Sequence, residues 1–496
     1  MTFWGPPVSV KNQVQLITYP DSLGGDLQAL NEILLRHFAD VFKGGVHILP
    51  PFPSSGDRGF APLTYLEIEQ AFGTWEDIRH IGEDSDVMLD LMVNHISRQS
   101  PYFQDFIREG RESEYADMFI TLDKVWPDGN PPQEDVAKIF LRRPEHPFSD
   151  IAIEETGQVE RIWTSFGKET PSEQIDIDVR SEQARDLLAG FLAHFAQQDV
   201  KIVRLDAVAY VTKRAGTSCF FVEPEIYQFL EWITGVAASL GIELVPEVHA
   251  HYSIQRKLAE HGYWVYDFVL PALILHTLSN KSSRKLRDYL ETCPRKQFTM
   301  LDCHDGIPIL PDIGGILEVK ESRKIVDTCV QRGANLSRIL SSQYKAVDGF
   351  DVHQIGCTYY SALDCDDDAY MAARAIQFFT PGVPQVYYVG LLAGENDYES
   401  VRLTGESRAI NRHNYSTAEV DRALQKRVVQ RLFRLIRFRN EYPAFGGSFE
   451  AKSGDKDILL AWQRGNRMCS LIVDICTNQA VITYVDDTGE LQEYKV

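Results

Sequence analysis

Short apolar or β-branched runs recur along the chain, each followed by a longer segment of helical periodicity. Eight such runs stand out, at 14–19, 45–50, 87–94, 201–208, 242–249, 263–270, 298–304 and 383–389. Their apolar centres suit strands buried on both faces, and most end in a polar or charged residue before a Gly or Pro turn. Eight β/α units in succession predict an α/β protein built as a (β/α)8 TIM barrel, in which the strand C-termini carry the active site.

Two connections are too long to be simple loops, one between the third and fourth runs and one after the seventh. The expected division is therefore a barrel at 1–95, 181–305 and 356–442, an inserted domain B at 96–180, an inserted B' region at 306–355 and a C-terminal β domain at 443–496. The segment 419–440 places Leu424, Val428, Leu432, Leu435 and Phe438 on one face with Arg and Lys opposite, which predicts one last barrel helix. Beyond Pro443 and Gly446-Gly447 the pattern alternates, with turn signals at Gly465-Asn466 and Asp486-Asp487-Thr488-Gly489, and predicts strands.

With 496 residues, 44% of them hydrophobic and 24% charged, the composition is that of an ordinary globular protein with a large core. The opening Met-Thr-Phe-Trp-Gly-Pro-Pro lacks a basic segment leading into an apolar one, and no stretch approaches the roughly 20 apolar residues that span a bilayer. The expectation is a soluble, cytoplasmic protein without a membrane partner. A formal net charge of −21 argues against nucleic acid, and any anionic substrate must be held by a local cluster of cations. Cys219, Cys293, Cys303, Cys329, Cys357, Cys365, Cys469 and Cys476 are scattered without a C-x-x-C pair, so reduced thiols are expected rather than disulfides or a zinc site.

The fourth run ends in Arg204-Leu205-Asp206, the fifth in Glu247-Val248-His249, and the seventh in Asp302-Cys303-His304-Asp305. Three acidic strand ends around one barrel mouth suit glycosidic cleavage, which needs one carboxylate at the anomeric carbon and one carboxylic acid for the leaving oxygen. Arg204, two residues before Asp206, points to the same side of its strand and would keep Asp206 ionised. Burial of Glu247 would suit it to general acid and then general base work. Taken singly, each carboxylate also reads as part of a barrel-rim salt bridge.

Asp90-Leu91-Met92-Val93-Asn94-His95, Arg204-Leu205-Asp206-Ala207-Val208, Glu247-Val248-His249 and His304-Asp305 together resemble the four signature regions of the α-amylase superfamily, glycoside hydrolase family 13. Within it the chain is similar to the sucrose phosphorylase group over nearly its whole length, through 14–19, 45–50, Gly216-Thr217-Ser218-Cys219-Phe220 and 384–390. The resemblance implies Asp206 as nucleophile, Glu247 as acid/base and Asp305 as the residue that grips the sugar hydroxyls. It also implies a glucose subsite of Asp57, His95, Arg204, His304 and Arg408, with Phe60 and Phe166 as apolar walls and Gln174 nearby, and Tyr210 and His249 as further substrate-binding residues. From the residues alone, Asp57 reads equally as a turn cap, and His95 as a core histidine satisfied by a backbone carbonyl.

The group's acceptor cations, on the inserted domain and on the loop after the seventh strand, fall at Phe140-Leu141-Arg142-Arg143-Pro144 and Gly349-Phe350-Asp351-Val352-His353-Gln354. Arg143 matches the group, whereas Arg142 and His353 stand where it has proline and tyrosine. The added cation and imidazole suit a phosphate on the fructosyl leaving group, with Asp351 and Gln354 beside them. The expected reaction is sucrose 6'-phosphate plus phosphate giving α-glucose 1-phosphate and fructose 6-phosphate, and His353 would favour the phosphorylated donor in acid. The rival is unphosphorylated sucrose as donor; a hydrolase and a catalytically silent barrel are the more distant readings. Neither a cofactor nor a metal is expected, since Asp366-Asp367-Asp368 reads as an acidic helix N-terminus rather than a calcium loop. Nothing in the pattern indicates an oligomeric state.

Overall fold

The structure, a computed structural model, describes residues 10–346, 348–454 and 456–496. The reading of the opening residues 1–7 lies outside them. Eight strands follow the predicted rhythm: β1 Gln15–Thr18, β2 Gly45–Ile48, β3 Val87–Met92, β4 Ile202–Asp206, β5 Glu243–Pro246, β6 Val265–Asp267, β7 Gln297–Thr299 and β8 Val383–Tyr387. Almost every residue in them is buried, as strands covered on both faces require.

The chain divides into two compact units, one built on Ile48–Val248 with Ile339–Lys345, the other on Lys11–His47, His249–Arg338 and Ala346–Val496. In the first, β3, β4 and β5 pair in parallel, with Asp90 opposite Arg204 and Met92 opposite Asp206. In the second, β1 pairs with β8 and β7 with both β6 and β8, again in parallel.

Most strands are shorter than their apolar runs. The run at 263–270 gives three strand residues and then the helix Leu270–Asn280, and the run at 383–389 continues into the helical turn Tyr388–Leu391. Apolarity marks burial, and a buried helix start looks the same as a buried strand end. The seventh run is affected most: β7 stops at Thr299, so Asp302, His304 and Asp305 lie on the segment after it rather than on the strand.

Between β3 and β4 the first unit carries the antiparallel hairpin Phe148–Ala152 with Val159–Trp163, and the short ladder His95–Ser97 with Gln174–Asp176. A small core of Ile120, Leu122, Trp126, Ile139, Phe148, Trp163 and Cys219 supports them, with Trp126 and Trp163 stacked at 5.7 Å. After β7 the second unit carries the antiparallel strands Ile307–Pro308, Asn335–Arg338 and Val352–Gly356 and the helix Val319–Gln331. Its last five strands form one antiparallel sheet in chain order. Arg464 faces Arg467 across the two-residue turn Gly465-Asn466, and Gly465 takes the positive φ (61°) that such a hairpin needs.

The expected single helix over 419–440 is two, Thr417–Ala423 and Arg427–Glu441. Ser416 and Glu419 form a capping box at the first; the break falls where Lys426 turns its ammonium to the carbonyls of Leu392 and Ala393. Arg439 is not on the polar face either: it is buried and donates to the carbonyls of Asn12, Phe378 and Gly382. Asp366 caps the helix Asp367–Phe379 through the amides of Asp368 and Ala369, which accounts for the acidic triplet. All eight cysteines are free thiols; six are buried, Cys365 is half-buried and Cys476 is exposed. Among the described residues no helix is long and apolar enough to cross a membrane.

Candidate active site

In the first unit one guanidinium organises the carboxylates. Arg204 and Asp206 alternate onto the same side of β4, and Arg204 Nη1 lies 2.9 Å from Asp206 Oδ1. The same nitrogen contacts the fully buried Asp90 on β3, while Nη2 is 3.4 Å from Glu247 Oε1, one residue beyond β5. Glu247 is buried as expected, at 8% exposure, and its carboxyl meets a cation. The Arg204 guanidinium also lies over the Phe60 ring, 5.8 Å from its centroid.

Phe60 is held from the loop after β2. The turn Asp57–Gly59 has positive φ at Asp57, Arg58 and Gly59; a Cβ at Gly59 would stand 2.6 Å from the Pro50 carbonyl oxygen. The Phe60 carbonyl accepts from His95 Nε2 and from Gln174 Nε2, both at 3.0 Å. His95 is thus satisfied by a backbone carbonyl, and burial lowers its pKa although Asp176 and Asp57 act the other way. Phe166 stands 5.2 Å from the His95 ring and 4.8 Å from that of Tyr210, and Tyr210 packs on Phe220. Burial drives the Tyr210 phenol well above its ordinary range against the opposing charge of Arg142, with Glu247 and Asp206 adding to the rise.

The two arginines of the inserted segment differ. Arg142 is half-buried beside Tyr210. Arg143 is buried and donates to Ser149 Oγ, Thr164 Oγ1 and the Glu169 carbonyl, which ties it into its own domain.

A residue that sequence reasoning passed over lies behind this wall. Lys213 has no exposed side-chain surface, and its ammonium reaches Asp176 Oδ2 at 2.7 Å, Asn94 Oδ1 at 2.9 Å and the Tyr210 carbonyl. It also sits over the Trp163 ring at 5.5 Å. Asp176 in turn accepts from the Ser165 amide and hydroxyl. No periodicity marks a lysine in Tyr210-Val211-Thr212-Lys213-Arg214; the signal is its place seven residues after Asp206.

In the second unit the centre is Asp305. Arg408 Nη1 is 3.1 Å from its Oδ1, and His304 Nε2 and His249 Nε2 are each 3.9 Å from its Oδ2. Burial works to raise the Asp305 carboxyl, but Arg408, His304, His249 and Arg412 together hold it well below the usual carboxylate range. Asn411 and Arg412 fix the segment by donating to the carbonyls of Asp305 and His304. His249 stacks on Phe268 at 3.8 Å, and its Nδ1 lies 3.4 Å from the buried Asp312.

His353 and Gln354 are not on a loop. Both belong to the strand Val352–Gly356, with Gln354 opposite Pro308 and Ser337, and both are buried. A carbonyl only accepts, so His353 Nδ1 carries hydrogen and donates to the Leu310 oxygen at 2.7 Å. Asp351, at the edge of that strand, is paired with Arg338.

The model of the α-amylase catalytic domain matches residues 12–268, just over half of the chain. The chain belongs to the α-amylase family. Among its relatives, the sucrose 6(F)-phosphate phosphorylase of Thermoanaerobacterium thermosaccharolyticum is 61% identical over 99% of this chain and 100% of its own length. The sucrose phosphorylase of Streptococcus mutans is 43% identical over 95% of this chain and 97% of its own. The crystal structure of sucrose 6F-phosphate phosphorylase from Thermoanaerobacter thermosaccharolyticum superimposes with a TM-score of 0.96 at 61% identity, covering 98% of this chain and 99% of that one. The α-amylase family fold expected from the sequence, a (β/α)8 barrel with a C-terminal β domain, is the fold of this chain.

Proposed function

We propose that the chain is a glycoside phosphorylase that transfers the glucosyl group of sucrose 6'-phosphate to inorganic phosphate with retention of configuration. The observation that carries this reading is the 61% identity, end to end, with a sucrose 6(F)-phosphate phosphorylase, against 43% with a sucrose phosphorylase. Arg142 and His353 supply the chemical side of the argument. A phosphate on the fructosyl group calls for added positive charge, which Arg142 carries permanently and His353 carries when its imidazole is protonated.

In the proposed cycle an Asp206 carboxylate oxygen forms a bond to the anomeric carbon as the bond to the fructosyl oxygen breaks. Glu247 gives its proton to that leaving oxygen, and fructose 6-phosphate departs. A phosphate oxygen then attacks the anomeric carbon, its proton passes to Glu247, and the Asp206 ester is released as carboxylate with α-glucose 1-phosphate as product. The contact of Arg204 with both carboxylates supports this pairing of roles, because the negative charge passes from Asp206 to Glu247 as the ester forms and the same guanidinium faces both groups. Asp305, held ionised by its cations, grips the sugar hydroxyls, with Asp57, Phe60, His95, Phe166, Gln174, Tyr210, His304 and Arg408 as the glucose subsite. Arg142, Arg143, His249, Asp351, His353 and Gln354 serve phosphate and the fructosyl side.

The sequence-based domain division and a cytoplasmic location are part of the same proposal. The test is the release of α-glucose 1-phosphate from sucrose and from sucrose 6'-phosphate, each with and without phosphate. A strong preference for the phosphorylated donor with full phosphate dependence is the expected result. Equal use of plain sucrose would install sucrose phosphorylase instead, and phosphate-independent glucose release would make the chain a hydrolase.

A further inference from the structure

A buried carboxylate stands behind one of two neighbouring imidazoles. Stacking on Phe268, with 20° between the planes, fixes the plane of the His249 ring. One edge of that ring presents Nδ1 to Asp312 Oδ1 at 3.4 Å, and the other presents Nε2 to Asp305 Oδ2 at 3.9 Å. Asp312 has no exposed surface. It lies in Leu310-Pro311-Asp312, and the Leu310 carbonyl of this same short stretch accepts from His353 Nδ1. The His249 and His353 rings are 6.0 Å apart at 75°. One segment therefore meets the two imidazoles with chemically different groups, a carboxylate for His249 and a neutral carbonyl for His353.

A carboxylate at this range favours the charged imidazole, whereas a carbonyl selects a tautomer without adding charge. Two imidazolium rings this close repel, so the ring with the carboxylate takes the proton first and holds the other neutral. We propose that Asp312 is a positioning residue that fixes His249 as an imidazolium, its Nε2–H aimed beside Asp305, and thereby keeps His353 as the neutral Nδ1–H tautomer. The separation of His249 Nε2 from Asp305 Oδ2, 3.9 Å, exceeds a hydrogen bond.

Charged groups of both signs surround His249, with the Asp312 carboxylate facing its Nδ1 edge. Asp312 and Asp305 favour its cation, as does Glu247 two residues earlier in the chain; His353 opposes it, as do His304 and Arg408 on the far side of Asp305. The inference rests on the phosphorylase reading and changes one part of it. The imidazole cation that serves phosphate is His249 and is present through neutral pH, rather than His353 appearing only in acid.

The test uses the full chain labelled with 15N in its histidine rings, with His249→Asn serving to assign one signal. The His249 ring is expected to keep both nitrogens protonated to about pH 7.5. In Asp312→Asn its titration falls by about one pH unit, and KM for inorganic phosphate at about pH 7.5 rises about tenfold. That KM returns toward the wild-type value at about pH 6, while hydrolysis of the glucosyl donor without phosphate changes less than about twofold. A merely structural defect is not repaired by acid. A wild-type His249 that is neutral at pH 7 overturns the proposal, as does an Asp312→Asn protein with unchanged titration and unchanged KM. If Asp312→Asn does not fold, the wild-type titration alone decides. A wild type without phosphate-dependent turnover would remove the phosphorylase reading, and the ring titration would still report on Asp312 and His249.

Discussion

The ammonium of Lys213 lies 2.7 Å from Asp176 Oδ2, and neither side chain reaches solvent. The pair joins three pieces of the first unit. Asn94 follows β3, Asp176 ends the ladder strand Gln174–Asp176, and the Tyr210 carbonyl belongs to the turn after Asp206. Among the described residues, Lys213→Met leaves Asp176 with only the Ser165 donors and is expected to cost about 3–5 kcal/mol, the usual result of stranding one buried partner. Urea unfolding measures it; a loss under about 1 kcal/mol would mean that water or a shifted side chain compensates. The double variant Lys213→Met with Asp176→Leu should recover part of the loss.

Asp267 offers the opposite case, a buried carboxylate with no ion-pair partner among the described residues. Burial pushes it up to about 6, more than the donors Tyr289, Leu270 and Val269 pull it down. All three donate to Oδ1, and Oδ2 has no hydrogen-bond partner among the described residues. A raised carboxyl contributes stability that is complete below the unfolded value near 3.9 and disappears as pH rises through about 6. Asp267→Asn keeps the Oδ1 acceptor and cannot ionise. Its stability relative to wild type should therefore improve by roughly 2–3 kcal/mol between pH 4 and pH 7. Parallel denaturant titrations at those two pH values check the sign, and a constant difference would refute the assignment.

Asp206→Asn removes the proposed nucleophile while retaining an acceptor for Arg204. Turnover of either donor should fall by at least about a thousandfold, with the thermal unfolding temperature within a few degrees of wild type. Full activity would leave the covalent step without its residue.

Arg142 carries the choice of donor in this reading. Arg142→Ala should raise KM for sucrose 6'-phosphate about tenfold or more and leave kcat/KM for sucrose within about threefold. Equal losses on both donors would show Arg142 to be part of the wall around Tyr210 rather than a phosphate receptor.

The fold was legible because strands buried on both faces read as unbroken apolar runs, and those runs stop at a charge where the chain leaves the sheet. Asp206 and Glu247 were visible for that reason, at or just past the ends of β4 and β5. Asp305 was assigned to a strand that ends six residues earlier, because Met300 and Leu301 continue the apolar pattern after β7 has stopped. His353 was read as a loop residue, since Asp351-Val352-His353-Gln354 has too few apolar positions to announce a strand that is completed by pairing. Lys213, Arg439 and Asp312 left no local trace. Their burial is decided by partners 37 or more residues away, such as Asp176 for Lys213 and Asn12 and Phe378 for Arg439, or by a histidine on another segment. A charge buried by distant chain is the kind of feature that periodicity does not encode.

The distribution of thiols has a practical corollary. Six of the eight are enclosed, and Cys365 is half-covered with its thiol pushed up by burial, whereas Cys476 stands exposed in the turn after the strand Arg467–Asp474. Maleimide chemistry at neutral pH should then attach one dye per chain, in the turn joining the third and fourth strands of the C-terminal sheet, without reductant cycling or cysteine replacement. The native protein thus arrives with its own single attachment point for fluorescence or surface immobilisation, far along the chain from Asp206 and Glu247.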